Sequence, residues 1–184
     1  SEGDIFMGVR MPNIRIIAKK FVAIEFKELE KLMTHEIHEV RICALVILVL
    51  KYKKSSIEEK KLVLGSYLKN KAFINNWDLV DVSAHYVLGQ AILDGLISEK
   101  YLDELVESKI LWDRRIGMVA TWIIIRSGNV LPTLRLAKKL LNDKEDLMHK
   151  AVGWMLRESW KKEPASVENF LIENYENLPR ITLR

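Results

Sequence analysis

The stretch NNWDLVDVSAHYVLGQ, residues 75–90, has the pattern of an amphipathic helix. Asn76 is a favourable N-cap, and the charge of Asp78 in the first turn suits the positive end of the helix dipole. Apolar residues then recur at helical spacing, namely Leu79, Val80, Val82, Val87 and Leu88. Trp77 and Asp81 are four residues apart and therefore share one helix face. The stretch predicts a helix that presents a tryptophan and a carboxylate together, an arrangement suited to chemistry on a cationic substrate.

The composition around this stretch is that of an ordinary globular protein. The chain has 184 residues, 49% hydrophobic and 29% charged, which is enough for one domain with a sizeable core. The formal net charge of +4 permits a polyanionic partner without requiring one. Cys43 is the single cysteine, so no disulfide framework exists and an intracellular, cytoplasmic location is expected.

The whole chain is predicted to be helical. The expected helices cover residues 12–21, 26–33, 36–53, 57–70, 77–93, 98–109, 113–126, 131–141, 144–161 and 165–175. No segment shows the sustained alternation of apolar and polar residues that marks a strand. Residues 42–50 are very apolar but too few to span a bilayer, so they predict a buried core helix. The fold class is therefore all-α.

Four of these helices suggest a repeat. Each has a polar residue before an apolar run that contains a small residue, and these polar residues are Arg41, Asp81, Arg115 and Lys150. They are separated by 40, 34 and 35 residues, periods typical of HEAT-like helix pairs that stack into a solenoid. Stacking predicts that the four side chains form a row on a concave surface. A basic groove with one carboxylate indicates a nucleic-acid backbone as the ligand.

Several sequence blocks carry a family resemblance. They are MGVRMP at residues 7–12, HEVR at 38–41, NWDLVD at 76–81, LWDRRI at 111–116, MHKAVGWMLRE at 148–158 and LPR at 178–180. In these blocks the chain resembles the DNA alkylation repair enzymes, the HEAT-like alkylpurine DNA glycosylases. The resemblance implies a right-handed α-solenoid of HEAT-like antiparallel helix pairs with a concave basic groove.

The resemblance also implies an activity and a site. The activity is removal of N3- or N7-alkylated purines from duplex DNA. The catalytic aspartate of the family corresponds to Asp81, its active-site tryptophans to Trp77 and Trp154, and its phosphate-gripping arginine to Arg115. Residues 1–184 are expected to form a single HEAT-like domain that lacks the family's first helices and has a curtailed last helix, beginning near Ile181.

The expected partner is double-stranded DNA that carries alkylated purines. No metal, no other cofactor, no membrane and no obligate protein partner are expected, and the protein is expected to be a monomer. The run His35–Glu39 lacks the four-residue histidine spacing that places two metal ligands on one helix face. His85 could pair with Asp81, although a core position suits it better.

The same residues also fit purely structural roles. Asp81 and Arg115 also fit solvated or ion-paired helix positions, and Trp77 and Trp154 also fit core packing. The basic pairs Lys19-Lys20, Lys53-Lys54, Lys60-Lys61, Lys138-Lys139 and Lys161-Lys162 are interpreted as solvated helix faces. The alternative to a glycosylase is a non-catalytic HEAT-like module that binds DNA or a protein in its groove.

Overall fold

The computed structural model describes residues 3–182 and confirms the all-α fold class. The helices in chain order are α1 (Met11–Lys20), α2 (Phe26–Met33), α3 (His38–Lys54), α4 (Ile57–Lys69), α5 (Trp77–Ala84), α6 (Gln90–Leu93), α7 (Tyr101–Val106), α8 (Leu111–Arg126), α9 (Leu131–Leu140), α10 (Asp146–Trp160) and α11 (Pro164–Glu173). Within the described residues the only β pairing is an isolated bridge between Ile5 and Ile37. The chain divides into two compact units, Ser1–Ala91 and Ile92–Arg184.

Unit 1, Ser1–Ala91, is built around α3. This helix packs against α1, α2, α4 and α5, and its apolar side chains are almost fully buried, with Leu48 and Tyr52 at 0% exposure. Each large apolar side chain buried in this way contributes about 1.5–3 kcal/mol to stability. The buried core helix predicted from residues 42–50 is confirmed. Over residues 3–182, no helix combines the length and the hydropathy that crossing a membrane requires.

Unit 2, Ile92–Arg184, is centred on two long helices that pack against each other. The helix α8 contacts α7, α9 and α10, and α10 in turn contacts α9 and α11. The side chains of Ile116, Met118 and Val119 on α8 and of Met148 and Met155 on α10 are buried at 1% exposure or less. These apolar stripes form the core of the unit and fix the orientation of the polar residues on the same helices.

Local sequence signals set many of the helix ends. The predicted range of α2 matches the structure, and Ser56 and Glu59 form both hydrogen bonds of a capping box at the start of α4. The predicted stop after α8 is also confirmed, because Gly128 follows the helix with a φ angle of +101°. Glycine adopts this left-handed conformation without the steric cost that a Cβ would add.

Four expectations differ from the structure. The predicted helix 98–109 is shorter, because α7 covers only Tyr101–Val106. The predicted continuous helix 77–93 is interrupted, because residues His85–Gly89 form a π-helical turn between α5 and α6. Asn76 is the N-cap residue of α5, but its side chain makes no cap hydrogen bond and donates to Asp4 instead. After Arg180 the chain makes a turn through residue 182, and the rest of the expected last helix, residues 183 and 184, lies outside the described residues.

Candidate active site

The start of α5 is held in place by a buried polar network in unit 1. The His38 imidazole Nε2 lies 2.7 Å from the Asp78 carboxylate Oδ2, and the side chain of His38 is 3% exposed. The other Asp78 oxygen accepts a hydrogen bond from the backbone N–H of Leu79 at 2.8 Å. Asp78 therefore joins the first turn of α5 to the first residue of α3. The first-turn position predicted for Asp78 is confirmed, but no sequence signal indicated this histidine partner.

Asp4 extends the network toward the N-terminal segment. Its carboxylate accepts hydrogen bonds from the Arg41 guanidinium at 2.6 Å and from the Asn76 amide at 3.0 Å. The His38 Nδ1 lies 3.5 Å from the same carboxylate. Burial pushes the pKa of Asp4 upward, whereas the hydrogen bonds from Asn76 and Arg41 and the Arg41 charge push it downward, and the pKa lies below its usual range.

Glu39 anchors the segment that precedes α1. Its carboxylate accepts backbone N–H hydrogen bonds from Met7 at 2.9 Å, Gly8 at 2.7 Å and Val9 at 3.3 Å. Burial raises the pKa of Glu39, but these N–H groups favour the carboxylate more strongly, so the pKa is lowered overall. Glu39 and His38 belong to the run that was considered as a metal motif. In the structure Glu39 accepts backbone hydrogen bonds, and His38 contacts the carboxylates of Asp4 and Asp78. Within residues 3–182, no cluster of three or more potential metal ligands is found.

Trp77 and Asp81 both belong to α5, at its first and fifth positions. Trp77 is 53% exposed, an unusual exposure for a large aromatic side chain, and Asp81 is partly exposed one turn later. The predicted common face follows from this spacing, because residues four apart lie above one another on a helix. The structure thus presents an accessible indole and a carboxylate on one helix whose first turn is fixed by buried hydrogen bonds.

The π-helical turn follows directly after this face. It begins at His85, which is 6% exposed and stacks on Tyr86 with ring centroids 4.0 Å apart. Burial, with a further contribution from the Lys53 charge, lowers the pKa of His85 to about 4. His85 is therefore a neutral core histidine at physiological pH, in line with its predicted position. Single π turns inside helices are frequent at functional sites, but the apolar periodicity of residues 75–90 contains no signal for one.

Arg115 and Trp154 belong to unit 2. Arg115 is the fifth residue of α8, is 5% exposed, and donates its Nη1 to the Leu147 carbonyl oxygen at 2.6 Å. This bond ties the guanidinium to the first turn of α10. Trp154 is partly exposed in the middle of α10. The structure therefore brings Trp77 and Asp81 onto one helix of unit 1, and Arg115 and Trp154 onto two packed helices of unit 2.

Trp154 lines a surface pocket of about 370 Å³. The other lining residues are Asp146, Lys150, Gly153, Arg157, Ile181 and Thr182. Gly153 allows the chain after α11 to lie directly on α10, because a Cβ at this position would be 2.5 Å from the Thr182 carbonyl oxygen. The pocket therefore combines an indole with two cations and one carboxylate, and it depends on a glycine whose close contact with Thr182 no sequence pattern indicated.

Arg41 does not fit the predicted row of polar side chains. Arg41 is the fourth residue of α3, whereas Asp81, Arg115 and Lys150 are each the fifth residue of their helices. The side chain of Arg41 is 7% exposed and is committed to its ion pair with Asp4. Its counterpart by position is Arg114, so the overlay of Arg41 with Arg115 was wrong by one residue.

Comparisons with known proteins agree with this architecture. A sequence model of the DNA alkylation repair enzyme family matches residues 1–184. No curated protein matches the sequence significantly. A solved structure titled "Predicted DNA alkylation repair enzyme from Enterococcus faecalis" has a TM-score of 0.74 and 18% identity, covering 99% of this chain and 86% of that chain. At such identity the likeness concerns the fold alone, and the family match carries the assignment. The chain belongs to the DNA alkylation repair enzyme family.

Proposed function

We propose that this protein is a DNA glycosylase that hydrolyses the N-glycosidic bond of N3- or N7-alkylated purines in duplex DNA. The observation that carries the proposal is the exposed Trp77 with Asp81 one turn further along α5. Membership of the DNA alkylation repair enzyme family supports alkylated DNA as the substrate. The proposal includes a right-handed stack of HEAT-like helix pairs whose concave basic groove holds the duplex.

The chemistry needs one carboxylate. An alkylated purine is already cationic, so cleavage of its bond to C1′ releases a neutral base that takes the bonding electron pair. This departure needs no general acid, unlike glycoside hydrolysis with two carboxylates. The sugar left behind has oxocarbenium character. Asp81 stabilises that charge and orients the water that adds to C1′, and the proton of the water passes to the carboxylate and then to solvent.

The aromatic and cationic residues serve the sugar and its phosphates. Tryptophan faces attract cationic groups by about 0.5–2 kcal/mol, so Trp77 and Trp154 stabilise the deoxyribose as positive charge develops. Arg115 contacts a phosphate beside the lesion, and its bond to Leu147 fixes the direction of the guanidinium. The network of Asp4, His38 and Asp78 supports this site indirectly, because it fixes the first turn of α5.

The test is release of 7-methylguanine from methylated duplex DNA by the wild type and by Asp81→Asn. The amide has a similar shape but no negative charge, so we expect release to fall by at least about 100-fold while duplex binding is kept. Glu104→Gln on α7 is a matched control, since it removes one exposed carboxylate from unit 2. It should leave release unchanged.

The outcomes separate the two candidate functions. Normal release by Asp81→Asn contradicts the proposed role of this carboxylate. Absence of release by the wild type, with the duplex still bound, favours the non-catalytic binding module. Circular dichroism and the melting temperature of each variant establish that loss of release does not come from unfolding.

A further inference from the structure

A second pocket lies in unit 1, beside the second half of α5. It has a volume of about 200 Å³ and is lined by Arg15, Lys19, Val46, Val49, Leu50, Lys53, Val82 and Tyr86. The lining side chains come from α1, α3, α5 and the π-helical turn. Val82 follows Asp81 directly in the sequence, so this basic pocket borders the proposed catalytic helix.

The charge of the basic pocket is entirely positive. Three of the lining residues, Arg15, Lys19 and Lys53, are cations, and no lining residue is a carboxylate. Within residues 3–182, none of the three forms an ion pair with a carboxylate. Many exposed cations elsewhere are neutralised, as shown by Lys69 with Glu30 at 2.6 Å and Lys139 with Glu107 at 2.6 Å. The basic pocket thus keeps its positive charge available to a ligand.

Two further observations describe the potential in the basic pocket. The Lys53 Nζ lies 4.0 Å from the centroid of the Tyr86 ring, a contact that orients this flexible side chain. The lowered pKa of His85, caused mainly by burial and secondarily by the Lys53 charge, is consistent with a positive field on this side of α5. The apolar part of the lining consists of Val46, Val49, Leu50 and Val82.

We propose that the basic pocket binds a phosphodiester group of the DNA strand. The three lining cations suit the phosphate oxygens, and the apolar lining residues suit the C–H surface of an adjoining deoxyribose. A strand held there passes beside Val82 and therefore along α5, the helix that carries Asp81. This inference rests on the proposed function for the identity of the strand and adds a contact that positions it. It also revises the prediction for two lysine pairs, since Lys19 and Lys53 line the pocket whereas Lys20 and Lys54 do not.

The chain itself provides a matched control. Lys19 and Lys20 are the last two residues of α1, and Lys53 and Lys54 are the last two of α3. The double variants Lys19→Gln/Lys53→Gln and Lys20→Gln/Lys54→Gln therefore remove the same charge from the same helix ends. All that differs is whether the removed cations line the basic pocket.

The measurement is affinity for an undamaged duplex as a function of salt, with 7-methylguanine release assayed in parallel. We expect Lys19→Gln/Lys53→Gln to bind about tenfold more weakly than the control pair. The slope of log affinity against log salt should become shallower by about 0.9 for each phosphate that the variant no longer neutralises. Arg15→Gln, which leaves the Lys53–Tyr86 contact intact, should weaken binding in the same direction. Melting temperatures establish that all variants are folded.

Each outcome decides between this inference and the proposed function. If the two double variants bind the duplex equally well and the wild type releases 7-methylguanine, phosphodiester binding in the basic pocket is refuted and the proposed glycosylase activity stands. If Lys19→Gln/Lys53→Gln binds more weakly than the control variant and the wild type releases no base, phosphodiester binding in the pocket is supported and the glycosylase activity is refuted. A wild type that neither binds the duplex nor releases base overturns both.

Discussion

The segments that lead into α3 and α8 use the same arginine contact in the two units. In unit 1 the Arg41 guanidinium donates to the carbonyl oxygens of His35 and Glu36, six and five residues earlier. In unit 2 Arg114 donates to the carbonyl oxygens of Ser108 and Lys109, again six and five residues earlier. Each arginine also pairs with an aspartate at 2.6 Å, Asp4 for Arg41 and Asp143 for Arg114. The fourth helix position is therefore structural in both units.

The two contacts differ in the other groups that the aspartate binds. Asp4 is shared among Arg41, Asn76 and His38, and through His38 and Asp78 the network reaches the first turn of α5. Asp143 instead forms a closed bidentate pair with Arg114 and accepts one further N–H, from Glu145. The first contact supports the helix that carries Asp81, whereas the second fixes a loop. The fifth position of the helix holds Asp81 in α5 and Arg115 in α8, the two residues to which we assign functional roles.

Removing the arginine should therefore cost more in unit 1 than in unit 2. Arg41→Gln leaves the buried Asp4 carboxylate without the Arg41 guanidinium, and breaking one partner of a buried pair costs about 3–5 kcal/mol of unfolding free energy. Arg114 is more exposed, at 15% for its side chain, so Arg114→Gln should cost less. Urea unfolding of both variants measures the two decreases in stability. Equal decreases would mean that the extended network adds nothing to the simple pair.

Acid should sharpen the difference between the units, because the lowered histidine pKa lies in unit 1. Unfolded His85 takes up a proton near pH 6.5, but folded His85 does so only near pH 4. Between these values the unfolded state binds more protons, so stability falls as the pH falls, by up to about 3 kcal/mol. The lowered pKa values of Asp4 and Glu39 act in the same direction, but only at more acidic pH.

Urea unfolding between pH 7 and pH 4.5 gives the size of this effect, and amide hydrogen exchange locates it. Exchange should increase first in α3 and α5, the helices nearest to His85. His85→Gln is the diagnostic variant. It should lower stability at neutral pH and flatten the pH dependence above pH 4.5. A pH dependence as steep as that of the wild type would show that another group carries the proton uptake.

Signals between near neighbours account for most of what the sequence predicted correctly. The capping box of Ser56 and Glu59, the stop at Gly128 and the four-residue spacing of Trp77 and Asp81 each involve residues within one or two turns. Local propensity and periodicity encode such features directly. The all-α fold and the buried course of α3 follow from them.

The features that the sequence did not predict depend on distant residues or on competition. Asp4 and Asn76 are 72 residues apart, so their hydrogen bond leaves no periodic trace, and it diverts the Asn76 side chain from its expected cap. The π-helical turn at His85–Gly89 changes the hydrogen-bond register without changing the apolar pattern. The overlay of Arg41 with Arg115 failed because two adjacent arginines, Arg114 and Arg115, fit the same loose pattern.

The smallest expected effect concerns the way each unit uses glycine within a helix. In unit 2 a Cβ at Gly153 would lie 2.5 Å from the Thr182 carbonyl oxygen, and backbone atoms yield less readily than the end of a flexible side chain. Gly153→Ala should therefore displace the C-terminal segment and cost about 1–3 kcal/mol. In unit 1 Gly65 lies in α4 with nothing within 4 Å of its ideal Cβ, so Gly65→Ala should stabilise the protein by up to about 1 kcal/mol. Thermal unfolding shows whether each variant is stabilised or destabilised, and amide exchange in α10 shows whether the C-terminal segment is displaced. A neutral Gly153→Ala with unchanged exchange would show that the Trp154 pocket does not need this contact.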